Sequence, residues 1–170
     1  MIVDNSMWYP LRFRRVQQFV LDSPAKLIGT PSRPGVEIVR VSHENVHRVA
    51  DFGRKRYIRT FRSHLCRGQM GLFAAIDQKI VGHAWAIICR EPFCMGNGYF
   101  RLDHGEALVH FCRVNPEHRR KGIFTALLAE LCRRLFDEHA VRRIYGDVLV
   151  TDPAPMWANL RVGFARKRRC

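Results

Sequence analysis

The sequence predicts an α/β protein: a mixed, mostly antiparallel sheet of about six to seven strands flanked by three to four helices. Three observations carry that expectation. The stretch Glu106 to Thr125 reads as a buried strand, a stop at Pro116, a basic loop with Gly122, and the first turn of a long helix. Gly71–Ile76 and Lys79–Cys89, joined at Asp77-Gln78, read as a hairpin. Arg143–Val150 followed by Asp152-Pro-Ala-Pro gives a second strand-to-helix step.

Taken in order, residues 1–34 form an opening segment, in which Leu11 to Leu21 alternates enough to suggest a strand. Ser23-Pro24 and Pro31-Ser-Arg-Pro-Gly35 set this segment apart from a main domain over residues 35–170. Val36–Val41 is a short strand. Ser42 then caps a first helix, over 43–60, whose apolar positions are Val46, Val49, Ala50, Gly53 and Tyr57. The hairpin follows, and residues 91–104, with Pro92, Gly96, Asn97 and Gly98, read as a loop. Glu106–Val114 is the next strand. The helix from Gly122 to about Glu138 carries Ile123, Leu127, Leu128, Leu131 and Leu135 on one stripe, with Glu130 and Arg134 paired outside. After the strand Arg143–Val150, a last helix runs to Val162, Gly163 ends it, and Phe164–Arg169 is a final strand.

The chain has 170 residues, 47% of them apolar, which suits one folded domain. No apolar run reaches the length of a membrane span, and Asp4 interrupts any secretory-type core, so neither span nor signal peptide is expected. A cytoplasmic protein follows by default. Cys66, Cys89, Cys94, Cys112, Cys132 and Cys170 form no Cys-x-x-Cys pair, so neither a metal site nor a disulfide framework is expected. Net charge is +14, from 29 basic and 15 acidic residues, a field that attracts acidic small molecules, anionic lipid or nucleic acid.

The loop before the long helix is a binding device for an anion. A helix start carries unpaired N–H groups and about half a positive charge. Arg119, Arg120 and Lys121 add full charges there, and Gly122 removes a Cβ that would hold a phosphate off the backbone.

This order resembles the GCN5-related N-acetyltransferase (GNAT) superfamily over roughly Val36 to Arg169. The superfamily's cofactor signature is Arg or Gln, two residues, Gly, one residue, then Gly or Ala. Here it reads Arg119-Arg-Lys-Gly122-Ile-Phe124, after a strand ending Val114-Asn-Pro116, and Gly163-Phe164 matches the turn after the family's last helix. The resemblance implies the GNAT fold, acetyl-coenzyme A as cofactor, and an amine as acceptor. It implies that Arg119, Arg120, Lys121, Gly122, Ile123, Phe124 and Thr125 hold the diphosphate, while Cys112 and Val114 meet the pantetheine arm. The Cys112 N–H would polarise the thioester carbonyl; loss of such a donor costs about 3–4 kcal/mol in barrier height. Phe124 replaces a small residue, its ring crowding the cofactor side. Asp152 stands where Asn is frequent. Asn159 stands near the cofactor where a tyrosine usually protonates the departing thiolate, and an amide cannot do that.

Acyl transfer needs a neutral amine, hence a base. Strand alternation puts Glu106, Leu108, His110, Cys112 and Val114 on one face, so His110 is the first candidate and Glu106 a more distant one. Asp103, His83 and His104 are weaker candidates, Tyr145 is a candidate substitute acid, and a strand histidine is more often a hydrogen-bonded core residue. The leading expectation is an N-acetyltransferase acting directly on a small-molecule or protein amine, with acidic acceptors favoured by the basic surface. Two alternatives stand beside it: a GNAT-fold module that senses coenzyme A or binds nucleic acid, and an acyltransferase using a longer acyl-coenzyme A. The opening segment would cover an edge strand or mediate a homodimer.

Overall fold

The central strands are near-continuous apolar runs buried on both faces, and apolar residues recur at helical spacing in the long helix. The computed structural model describes residues 16–29, 33–52, 55–95 and 100–167. Its elements are Val16–Leu21 (β1), Glu37–Arg40 (β2), Arg56–Cys66 (α1), Met70–Ile76 (β3), Lys79–Ile88 (β4), Phe93–Met95 (β5), Phe100–Leu102 (β6), Glu106–Val114 (β7), Ile123–His139 (α2), Arg143–Leu149 (β8), Pro153–Val162 (α3) and Ala165–Arg166 (β9). Seven strands form one sheet in the order β2-β3-β4-β7-β8-β1-β9, and β5 pairs with β6 separately. Among the described strands only β7 and β8 run parallel; α2 makes the crossover between them.

Turn chemistry sets several boundaries. Asp77 and Gln78 both take left-handed φ, 47° and 64°, the primed turn that joins β3 tightly to β4. The Asp152 side chain accepts the Ala154 N–H at 3.3 Å and starts α3, and Gly163 at φ 105° ends it. Any Cβ at position 163 would run into the Lys26 carbonyl, because residues 26–28 cross the end of α3 and the Ile28 N–H donates to Val162 O.

One sheet face packs against α2 and α3 through Leu72, Ala74, Leu127, Leu131, Ile144 and Val162. The other carries a 3-10 turn over Val46–Phe52, then α1, packed on β3 and β4 through Phe61, Phe73, Ile80 and Trp85. Further along this second face, Leu102 of β6 covers Cys89, Leu108 and Tyr145.

Three expectations change. The helix expected over 43–60 is two pieces, the 3-10 turn and α1, because Ser42 and Asn45 cap each other and tighten the entry. The loop expected over 91–104 contains the β5–β6 hairpin. Val16–Leu21 of the opening segment is an interior strand rather than an edge cover: β1 lies between β8 and β9, with Phe19 and Leu21 fully buried. Expectations on residues before 16, on Gly53, on Gly96 to Gly98 and on Arg169 fall outside the described residues. Among the described residues no helix is long and apolar enough to cross a membrane.

Because β1 fills a slot in the sheet, Phe19→Ala should lose about 3–5 kcal/mol in urea denaturation. Deletion through Leu21 should leave a chain without a cooperative transition.

Candidate active site

The parallel ladder between β7 and β8 stops early. It pairs Glu106 to Val109 with Arg143 to Gly146 and goes no further, although β7 continues to Val114. The cause is a bulge. On β4, His83 faces Arg113 and Trp85 faces His110, so Phe111 and Cys112 together oppose Ala84. Phe111 takes φ 48°, unusual for a bulky residue. His83 holds it there: the buried Nδ1–H donates to the Phe111 carbonyl at 2.9 Å, and the two rings stack 5.5 Å apart. Tyr57 and Phe61 close on the Phe111 ring edge-on, at 5.4 and 6.0 Å.

The bulge inverts the alternation expected for this strand. Glu106, Leu108 and His110 face the α1 side, but Cys112 and Val114 pack toward the α2 layer and do not share the His110 face. Arg113 takes the α1 side instead and donates to the Tyr57 hydroxyl at 3.1 Å. The backbone consequence matters more. The Asn115 N–H donates to Val81 O of β4 at 2.8 Å, so alternation turns the main-chain groups of Val114 and Cys112 toward the gap that β8 has vacated. That edge can accept an extended, amide-bearing chain as a strand substitute.

At the far end of the gap sits the basic loop. Arg119 Nε donates to Val114 O at 3.2 Å and ties the loop to β7. Arg120 and Gly122 are left-handed, at φ 60° and 76°, and no side chain caps α2. Its first internal bond runs from the Ala126 N–H to Gly122 O at 3.0 Å, so the N–H groups of Ile123, Phe124 and Thr125 remain for an anion. Sequence reasoning missed Arg33, whose guanidinium would lie 2.5 Å from any Cβ at position 122. It adds a fourth cation beside Arg119, Arg120 and Lys121. The Phe124 ring, expected to crowd the cofactor side, packs partly against the main core.

Among the base candidates, Glu106 is committed elsewhere. Its buried carboxylate accepts from Arg143 at 2.9 Å, Tyr145 at 3.2 Å and the Asp103 N–H at 3.0 Å. This network locks the start of β7 to β8. Burial raises the Tyr145 pKa above its ordinary value. His110 pairs through Nε2 with Gln69 Oε1 at 2.9 Å, and its ring meets His64 edge-on at 5.2 Å. Burial first, then His64 and His83, lowers its pKa to about 3. His64 and His83 are lowered to about 4, again chiefly by burial. The Cys112 thiol is pushed up to about 12 by burial. Asn159 is buried, donates to Pro155 O at 2.8 Å, and sets Oδ1 3.0 Å from where a Cβ on Gly146, the last β8 residue paired with β7, would lie. Among the described residues no group of three or more His, Cys, Asp or Glu is placed to hold a metal ion.

A parted strand pair leading to a helix start flanked by cations has the shape and charge to take an extended, amide-bearing chain that carries a diphosphate. The Acetyltransferase (GNAT) family description matches residues 37–164, and the chain belongs to that family. Members use acetyl-coenzyme A. No curated protein matches the sequence. A GNAT-family putative acetyltransferase from Novosphingobium aromaticivorans is 14% identical, with a TM-score of 0.61 over 90% of this chain and 60% of its own. A GCN5-related N-acetyltransferase from Kribbella flavida is 16% identical, with a TM-score of 0.63 over 91% and 55%. The aminoglycoside N-acetyltransferase AAC(6')-Iy, solved in complex with CoA, is 17% identical, with a TM-score of 0.61 over 79% of this chain and 95% of its own. The chain thus spans little more than half the length of the first two, and at these identities the likeness shows the fold.

The buried histidines predict an acid-labile fold. In the unfolded chain they titrate near 6.5, in the folded protein near 4 or 3. The unfolded state therefore binds more protons below about pH 6.5, so stability is full above that pH and falls as pH drops toward 4. Urea midpoints measured from pH 7.5 to 4 should decline, and His64→Phe should flatten that decline.

Proposed function

We propose that the protein transfers an acetyl group from acetyl-coenzyme A to a primary amine by direct attack. The observation that carries this reading is the gap opened by the Phe111 bulge, which runs straight to the uncapped start of α2. The donor, when bound, supplies an acetyl group activated as a thioester. Residues 119–125 hold the diphosphate through main-chain N–H groups, with Arg33, Arg119, Arg120 and Lys121 neutralising its charge. The main-chain groups of Cys112 and Val114 bind the amide-bearing arm, and the Cys112 N–H polarises the carbonyl to be attacked.

Direct attack is favoured over a covalent acetyl-enzyme because the cysteine at the gap is a thiol at neutral pH, its pKa near 12. His110 is neutral as well. Its Nε2–H bond to Gln69 leaves Nδ1 as an acceptor, which suits brief relay of a proton better than its storage. Asn159 offers no acid in the tyrosine's place, and a thiolate is a leaving group able to depart without one. Glu106 acts through position, holding β7 and β8 together below the gap.

Calorimetry should detect saturable binding of coenzyme A and acetyl-coenzyme A; absence of binding to either would sink the reading. Gly122→Ala should weaken that binding about tenfold, since a left-handed alanine costs about 1–2 kcal/mol and its methyl meets Arg33. His110→Ala should lower kcat about 10- to 100-fold while leaving coenzyme affinity unchanged, checked by thiol release from acetyl-coenzyme A.

A further inference from the structure

The sheet face that carries His110 is covered unevenly. The 3-10 turn and α1 pack over β3 and β4, and Leu102 reaches the near ends of β7 and β8. Beyond Leu102, the β8–β1 part of this face carries polar side chains, Gln18 and Asp147. The ladder register makes one of them notable. Val109 and Gly146 are the last paired residues, so His110 and Asp147 are the first residues on either side of the gap. They share a face: Asp147 lies two residues beyond Tyr145 on β8, as His110 lies two beyond Leu108 on β7.

Glu106, on the same face, is saturated by three donors, whereas Asp147 is exposed and its Oδ1 takes a single amide hydrogen bond, from Gln18 at 3.2 Å. Although the residue as a whole is exposed, its surroundings desolvate the carboxyl and raise its pKa above the ordinary value. Gln18 and the Lys167 charge pull it partly back. A carboxylate at this point, in a chain of net charge +14, offers a cationic amine a negative landing place at the gap.

We propose that Asp147 binds the ammonium group of the acceptor and removes its proton, an assignment that rests on the transferase reading above. The N–H bond of the ammonium breaks, its proton passes to a carboxylate oxygen of Asp147, and the electron pair stays on nitrogen. That pair forms the C–N bond to the acetyl carbonyl carbon while the C–S bond breaks and sulfur keeps its bonding pair. The nitrogen's surplus proton leaves with the thiol, and Asp147 returns its own proton to water. The acceptor class that fits is a primary amine cationic at neutral pH. Gln18 from β1 and Lys167 beyond β9 act on this carboxylate, while Tyr145 and Arg143 on its own strand and His110 with Glu106 on β7 share its sheet face.

The test uses the full chain with spermidine, kanamycin and an alanine-initiated peptide amide as probes, carried forward with whichever is acetylated fastest. Asp147→Asn keeps the shape and the Gln18 contact. It should lower kcat/KM about 10- to 100-fold and abolish the acidic limb of its pH profile. Calorimetric binding of the same amine to protein saturated with coenzyme A should weaken about tenfold, with coenzyme affinity itself unchanged. Asp147→Glu should recover part of both. Wild-type transfer, amine binding and pH profile in Asp147→Asn would overturn the assignment. Failure of the wild-type protein to bind coenzyme A would instead remove the transferase reading beneath it.

Discussion

The hydrogen bond from His83 to the Phe111 carbonyl, with the aromatic packing around it, decides what this sheet can do. A left-handed phenylalanine costs on the order of 1–3 kcal/mol and persists only where its surroundings determine it. Here the donor is buried, the acceptor has been stripped from the β4 ladder, and three further rings hold the side chain. Without the bulge, β7 would keep its alternation and could continue to pair with β8, and no free main-chain edge would lead to the start of α2. The gap is thus a consequence of local backbone strain stabilised from the neighbouring strand.

The layer that supplies this support is dry and neutral inside a strongly basic protein. His64, His83 and His110 sit among Phe61, Trp85 and Phe111, with ring separations between 4.9 and 6.2 Å. Burial keeps the three imidazoles uncharged, so they pack as aromatic rings while offering N–H groups where carbonyls need them. Both His64 nitrogens and His83 Nε2 are buried without a protein partner, as is the Trp85 indole N–H. Such groups cost stability. That cost sits directly beneath the gap, where function and stability commonly pull apart.

Much of this architecture was legible because its signals are local. Asp77-Gln78, Pro116, Gly122, Asp152 and Gly163 mark their boundaries through the backbone conformation each requires, and the bounds of β7 follow from its composition alone. The bulge was not legible. Its cause, His83, lies 28 residues away from Phe111 in sequence, and the resulting phase change moved Cys112 and Val114 off the expected face. The left-handed turn at Gly122 and its flanking cations could be read from the sequence, but Arg33 joins them only through tertiary folding. Glu106 read as a distant candidate base, and only the positions of Arg143 and Tyr145 reveal it as an anchor. Asp147 carried no motif at all; its significance comes from a ladder register.

The placement of β1 also bears on how the molecule is made. The strand leaves the ribosome well before its antiparallel partners, β8 and β9, because all the residues between 21 and 143 are translated in the interval. At about 5–20 residues per second, Phe19 and Leu21 wait on the order of ten seconds with no sheet to join. Throughout that interval an apolar, unpaired segment is open to chaperones or to a neighbouring nascent chain. Closure of the sheet must then bridge the whole stretch between residues 21 and 143, which makes docking of β1 a natural late event in folding.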